Sequence, residues 1–150
     1  MKCAIDDKTC YYQQPTAEDN EKELFRRIHC VIMEQQLFLD PMFSRQTYMK
    51  LGLINKNKVA QLIHKYTGTN LNGYINSLRL DYAVKLMLAY PEAPMKAIAA
   101  DSGFSNIRTF YRLFLSKYGM SPSEYTFIFI THHAAVSARC GQIIRMGVSD

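Results

Sequence analysis

Apolar residues recur every three or four positions in several stretches of the chain, a spacing that places them on one side of an α-helix. In the first stretch, a cap at Asp19 or Asn20 precedes a stripe that predicts a helix ending near Leu37. Asp40-Pro41 follows, and the residue before a proline avoids the α conformation. The stripe consists of Leu24, Ile28, Val31, Ile32 and Gln35.

Six further helices are predicted between residue 45 and the C-terminus. Two over 45–51 and 56–67 precede the longest, over 72–90, and two over 95–102 and 107–118 follow it. A capping box, Ser121-Pro122-Ser123-Glu124, starts the last helix, in which Tyr125 points inward. The expected caps of the earlier helices are Ser44, Asn55 and either Asn70 or Asn72. The pattern predicts an all-α fold of about seven helices.

Residues 99–114 have the pattern of a helix-turn-helix. Gly103 can adopt the positive φ that a tight turn between two helices requires. The second helix has an apolar side formed by Phe110, Leu113 and Phe114, so its opposite side carries Arg108, Tyr111 and Arg112. Such a side suits the major groove of DNA. An ordinary amphipathic helix with a solvated basic side is the alternative.

The chain contains an internal repeat with an offset of about fifty residues. Leu62, Gly68 and Tyr74 align with Leu113, Gly119 and Tyr125. The repeat predicts two tandem helix-turn-helix units joined by a long linker helix of about 28 Å. The expected organisation is an N-terminal lead or linker over 1–18, a first unit over 19–69, the linker helix over 70–90, a second unit over 91–126, and a partly ordered C-terminal extension over 127–150.

Positive charge is concentrated in the middle of the chain. Residues 45–118 contain eleven lysines and arginines and three acids, a net charge of +8, whereas residues 1–44 have a net charge of −3. A basic region around two helix-turn-helix units points to an acidic partner such as a nucleic-acid backbone.

Several function classes lack their sequence signals. The four cysteines form no C-x-x-C pair, and His132-His133 are adjacent, so on a helix their side chains diverge by about 100°. The chain has neither a nucleophilic serine elbow nor a phosphate-binding glycine loop, and no apolar run is long enough to span a membrane. We therefore expect no metal, no cofactor, no catalysis, no membrane association and a cytoplasmic location.

Three segments of the second unit carry a recognisable pattern. They are Ile98-Ala99-Ala100-Asp101-Ser102-Gly103-Phe104-Ser105, Phe110-Tyr111-Arg112-Leu113-Phe114 and Tyr118-Gly119-Met120-Ser121-Pro122-Ser123-Glu124-Tyr125. Through them the chain resembles the two-motif DNA-binding domain of AraC/XylS-type bacterial transcription regulators, and residues 74–83 look like the linker helix of that family. The resemblance extends from Glu21 to about Thr126; it is strong in the second unit and moderate in the first.

This resemblance implies that two reading helices enter successive major grooves of double-stranded DNA, roughly 34 Å apart. By their place in the motifs, the base-reading residues are Asn57, Gln61, Arg108 and Arg112. Second-rank DNA contacts are Lys56, Lys58, Asn106, Ile107 and Tyr111, and the expected phosphate contacts are Lys65, Lys96 and Lys117. RNA polymerase is a further candidate partner. Members of the family commonly carry an upstream effector or sensor domain, for which this chain has no room, so we expect either a stand-alone small regulator or a fragment of a larger protein.

The first unit departs from the family pattern. Tyr48 and Met49 stand where the family has leucine and alanine, and Leu53 stands where the turn has glycine. Either the turn is reshaped or Leu53 is strained. A helical protein-interaction module with weak or no DNA binding is therefore the alternative function. The apolar segment 127–130 either completes the core or forms a partner surface.

Overall fold

Seven α-helices and one 3₁₀ turn make up the described part of the chain, and this part contains no strand. The computed structural model describes residues 15–145, with side chains over 15–133. The predicted all-α fold, two helix-turn-helix units joined by a long helix, is confirmed. The elements are α1 (Ala17–Glu34), the 3₁₀ turn (Leu37–Leu39), α2 (Arg45–Gly52), α3 (Lys56–Thr67), α4 (Leu71–Ala89), α5 (Met95–Asp101), α6 (Ile107–Tyr118) and α7 (Pro122–Arg145).

The linker helix α4 contributes to two separate hydrophobic cores. Its N-terminal half packs with α1, the 3₁₀ turn, α2 and α3, and its C-terminal half packs with α5, α6 and α7. Nineteen residues give α4 a length of about 28 Å. The buried residues of the first core are Ile28, Ile32, Phe38, Tyr48, Val59, Ile63, Leu71, Tyr74 and Ile75. Those of the second are Leu80, Ala83, Met87, Ile98, Ala99, Phe104, Phe110 and Phe114.

The bounds of α1 differ from those predicted. The helix begins earlier because Thr16, not Asp19 or Asn20, is its cap: the Thr16 hydroxyl accepts from the Asp19 N–H, and the Asp19 carboxylate accepts from the Thr16 N–H. It also ends earlier, at Glu34, because Gln36 adopts the left-handed conformation with φ 51°. Gln35, predicted in the buried stripe, is exposed.

The turn after α2 is where the first unit departs from the sequence pattern. Leu53 adopts φ 51° and its side chain is 93% exposed, so this leucine holds the conformation that glycine would hold at lower cost. Gly52 lies within α2, and a Cβ there would be 2.6 Å from Ile28 Cδ1. Ser44 occupies the predicted cap position, but its side chain makes no capping hydrogen bond. The hydroxyl of the fully buried Tyr48 has no hydrogen-bond partner among the described atoms.

Local capping signals predicted the later helices well. Asn55 and Asn70 cap α3 and α4 by accepting from the N–H groups of Lys58 and Gly73, which decides between the two candidate caps of α4. The capping box of α7 is present, since the Glu124 carboxylate accepts from the Ser121 N–H at 2.8 Å. The remaining confirmed end signals are Gly68 and Gly119, at φ 70° and 71°.

The C-terminal helix corrects one expectation about the core. Phe127, Ile128, Phe129 and Ile130 continue α7, but they are 37–70% exposed, so they do not complete the core. Four consecutive side chains on a helix point in directions about 100° apart. The rest of the domain lies on one side of α7, so it can bury only some of them. We call these four residues the apolar collar.

Candidate nucleic-acid interface

The exposed side of α3 carries two amide side chains. Asn57 and Gln61 are both exposed and lie four residues apart, so they share one side of the helix. Val59, Leu62 and Ile63 are fully buried on the opposite side. Packing of that apolar stripe fixes which way the two amides face.

The exposed side of α6 carries two guanidinium groups in the equivalent arrangement. Arg108 and Arg112 are exposed and four residues apart, and Tyr111 beside them is 37% exposed. Phe110 and Phe114 are fully buried on the opposite side of the helix and pack it against the second core. The two outer helices therefore present hydrogen-bonding pairs of different chemistry, amides on α3 and guanidinium groups on α6.

The helices of this region lack the acids that usually occupy helix N-termini. None of α2, α3, α4, α5 and α6 has an acid in its first turn, whereas α1 and α7 do. The first turns of α2, α3, α5 and α6 carry cations instead, although a cation opposes the positive end of the helix dipole. Free N–H groups and cations together favour an anion such as a phosphate. The cations are Arg45, Lys56, Lys58, Lys96 and Arg108.

Two second-rank residues have structural roles in the α6 turn. Asn106 caps the helix, and its side-chain oxygen accepts from the Arg108 N–H at 2.8 Å. Ile107 is partly buried against the second core. Both positions hold the start of α6 in place, which leaves Arg108, Tyr111 and Arg112 as the outward groups of the helix.

Two lysines of α3 are bound to acids of α1. Glu21 contacts both Lys58 and Lys65, and Lys65 also lies 3.2 Å from Glu18. Hydrogen bonds from Lys58 and Lys65 hold the pKa of Glu21 below its usual value. A phosphate would therefore have to compete with these carboxylates for either lysine, whereas Lys56, on the same helix, is exposed.

Of the two phosphate candidates in the second unit, one is engaged within the protein. Lys117 Nζ donates to Asp81 Oδ1 at 2.6 Å and to Ser77 Oγ at 2.8 Å, which ties α6 to α4. Lys96 is exposed in the first turn of α5. The geometry therefore separates an anchoring lysine from an accessible one.

Arg45 and Gln46 lie beside the exposed side of α3, although no sequence motif predicted a role for them. They line one open groove with Lys56 and Asn70, and Arg45 also lines the adjoining groove with Gln61. The signal that could have identified Arg45 is its position: a cation at the first residue of a helix opposes the helix dipole.

The described residues contain no group of three or more potential metal ligands. No helix in this part of the chain is long and apolar enough to cross a membrane.

A family model described as a helix-turn-helix domain matches residues 53–126. The match begins at the unusual Leu53 turn and ends beside Tyr125, so it spans α3, α4, α5, α6 and the first turn of α7. Residues 53–126 therefore form an AraC-type helix-turn-helix domain. The family comprises transcription regulators and not enzymes, in agreement with the sequence-based expectation.

Curated relatives of this AraC-type domain are regulators of greater length. The chain is 32% identical over 82 residues to the uncharacterized HTH-type transcriptional regulator YijO of Escherichia coli K12. The aligned segment covers 55% of the chain and 29% of the relative. It is 38% identical over 61 residues to the TCP pilus virulence regulatory protein of Vibrio cholerae, covering 41% of the chain and 22% of the relative. The chain thus spans less than a third of either relative.

Solved structures share the architecture of the AraC-type domain. A protein of unknown function from Listeria innocua matches with a TM-score of 0.58 and 28% identity, over 69% of this chain and 94% of that one. The C-terminal domain of AraT, a response regulator from Geobacillus stearothermophilus, matches with a TM-score of 0.61 and 21% identity, over 70% and 84%. The second likeness concerns the fold alone.

Proposed function

We propose that the chain is the sequence-specific DNA-binding part of a transcriptional regulator, and that α3 and α6 enter successive major grooves. One observation carries the proposal: both outer helices expose hydrogen-bonding side chains four residues apart while their opposite sides are fully buried. The helix α4 that joins the two motifs is about 28 Å long, which is comparable with the length of one turn of duplex DNA, about 34 Å.

The chemistry of the two reading faces suits different bases. Arg108 and Arg112 can each donate two hydrogen bonds to guanine O6 and N7, and Asn57 and Gln61 can pair with adenine N6 and N7. These contacts would supply sequence discrimination. Contacts to phosphates would set the position of the protein on the duplex, and the accessible cations for that role are Arg45, Lys56 and Lys96.

Selection of bound duplexes from a random pool, followed by titration at two salt concentrations, tests the proposal. The expected result is a site with two half-sites about one helical turn apart and an affinity that falls as salt rises, since phosphate contacts release counterions. Recovery of one short half-site would contradict the two-groove mode. Absence of binding at low salt would contradict the proposal as a whole.

Replacing Arg112 by alanine tests direct base reading. The Arg112→Ala variant should lose about 1 to 3 kcal/mol of binding free energy on the selected duplex and much less on a random duplex. Fluorescence anisotropy on both duplexes measures the difference. Arg26→Ala is the matched control, because Arg26 is an exposed arginine paired with Glu23 on α1. Equal losses on both duplexes would reduce Arg112 to a phosphate contact.

A helical protein-interaction module is the second candidate function. The exposed apolar collar favours it, because contiguous apolar surface is typical of protein contacts. The engagement of Lys58, Lys65 and Lys117 in ion pairs also lowers the free positive charge of the domain. The salt titration separates the two functions. RNA polymerase and an upstream effector domain stay predictions of the family resemblance.

A further inference from the structure

The two helix-turn-helix units touch each other directly, apart from their connection through α4. The contact joins the 3₁₀ turn of the first unit to the Gly103 turn of the second. Gly103 is buried with φ 85°, and a Cβ at this position would lie 2.7 Å from the backbone oxygen of Leu39. The turn therefore excludes a side chain both by its backbone conformation and by the space available.

Arg79 of α4 lies at the same contact. Its Nε donates to the Phe38 carbonyl at 2.6 Å, and its Nη2 donates to the Asp40 carbonyl at 2.7 Å. Its guanidinium carbon is 6.0 Å from the ring centroid of Phe104, which follows Gly103 in the second unit. A single side chain thus contacts the backbone of the first unit and an aromatic ring of the second. We call Arg79, Gly103 and the turn Leu37–Leu39 the seam.

The guanidinium group is suited to this contact. Its donors form a rigid planar fork, so one side chain can bond two carbonyls and lie against a ring at the same time, which a lysine ammonium cannot do. Asn76 accepts a further hydrogen bond from Nη1 at 3.2 Å and helps to orient the group. The seam is a second connection between the units, and two connections restrict rotation where one helix alone would permit it.

We propose that Arg79 is a positioning residue that fixes the spacing and the helical phase at which α3 and α6 are presented, so that the protein accepts a single half-site spacing. The inference rests on the proposed function. One base pair added between half-sites moves the second by about 3.4 Å and rotates it by about 35°. A rigid seam penalises that change, whereas a loosened seam tolerates it.

A distance measurement without DNA tests the rigidity. Spin labels are placed at Ala60→Cys on α3 and Ser116→Cys on α6, two exposed positions, in a chain with Cys3, Cys10, Cys30 and Cys140 replaced by serine. Pulsed electron resonance should give a narrow distance distribution in this parent and a clearly broader one with Arg79→Ala. Arg79→Lys should give a distribution of intermediate width. This variant also serves as the test if the alanine variant does not fold.

A series of duplexes with altered half-site spacing tests the consequence for binding. The parent should lose about tenfold or more in affinity for each base pair added to or removed from the optimal spacer, which corresponds to about 1.4 kcal/mol. With Arg79→Ala this loss should fall to about threefold or less, while affinity for a duplex with a single half-site stays within about twofold of the parent. Lys85→Ala, an exposed cation on the same helix, should leave the spacer profile unchanged.

Unchanged distance distributions and an unchanged spacer profile in both Arg79 variants would overturn the inference. An equal loss on the single half-site duplex would overturn it too, because that result indicates general destabilisation. If the parent binds no two-site duplex but Arg79→Ala broadens the distances, the proposed function fails while Arg79 is still the residue that holds the two units together.

Discussion

Leu53 and Gly68 hold the same position at the ends of consecutive helices and nearly the same backbone conformation. Their φ angles are 51° and 70°, and both are left-handed. An L residue with a Cβ carries a steric cost of about 1 to 2 kcal/mol in this region, and glycine does not. The first helix-turn-helix unit therefore bears a local cost at the residue where the family model begins to match.

Exchanging side chains at these two positions should have opposite effects on stability. Leu53→Gly is expected to raise the free energy of unfolding by about 0.5 to 1 kcal/mol, because the side chain is 93% exposed and little burial is lost. Gly68→Ala should lower it by about 1 kcal/mol through the backbone alone, since a Cβ there has no atom within 4 Å. Urea denaturation measures both. A destabilised Leu53→Gly would mean that the leucine makes stabilising contacts.

At the scale of single residues, the sequence predicted mainly the residues that cap the helices. Asn55 and Ser121 were identifiable because each bonds to a backbone group within three residues. Thr16 was missed although it forms the same kind of bond with Asp19. Thr16 and Asp19 have the spacing of a capping box, but the apolar stripe of α1 begins only at Leu24 and does not show which of the preceding polar residues is the cap.

At the scale of elements, acids of α1 offset part of the positive charge of α3. Glu18 and Glu21 on α1 pair with Lys58 and Lys65 on α3. The acids therefore support packing of α1 on α3 and reduce the positive charge that α3 offers to a phosphate backbone. In the second unit, Lys117 of α6 pairs instead with Asp81 of α4.

Removing the central acid should strengthen DNA binding. Glu21→Gln frees Lys58 and leaves Lys65 paired with Glu18 alone, so the affinity for duplex DNA should rise, and the slope of log affinity against log salt should steepen by about 1. Titration at several salt concentrations measures both quantities. Glu23→Gln is the matched control, since it removes the same charge from an α1 residue that pairs only with Arg26 in the described ion pairs. A weaker affinity with Glu21→Gln would show that α1 orients α3 rather than screens it.

Considered as a whole, the molecule combines two small cores with an apolar collar on α7. The cores meet along α4 and at the seam, and the collar lies beyond the second core. Phe127 is 70% exposed, so its side chain contributes little to the folded domain and much to the surface.

Polar substitution of the collar should alter surface behaviour without loss of stability. Phe127→Gln is expected to reduce the fluorescence of an apolar dye that binds to the surface. It should also reduce any self-association measured by sedimentation, while the midpoint of urea denaturation changes little. Met42→Gln is the control, because Met42 is an apolar residue outside the collar that is 81% exposed, and its replacement should leave dye binding unchanged. A large drop in the urea midpoint for Phe127→Gln would place the collar in a core contact.

The sequence by itself determined the helices, their order and the outward sides of α3 and α6. Apolar periodicity fixes which side of a helix is buried, and caps fix where it begins, so Arg108, Arg112, Asn57 and Gln61 could be placed without coordinates. The repeat of Gly68 and Gly119 added the tandem arrangement.

Only the tertiary structure decided which of the outward groups are free and how the two units are held together. Lys58, Lys65 and Lys117 meet acids 36 to 47 positions away, and Arg79 bonds carbonyls 39 and 41 positions away. No local pattern specifies such partners, because they depend on how helices from distant parts of the chain pack. The collar likewise has an apolar sequence typical of a core, and its exposure follows from where α7 leaves the domain.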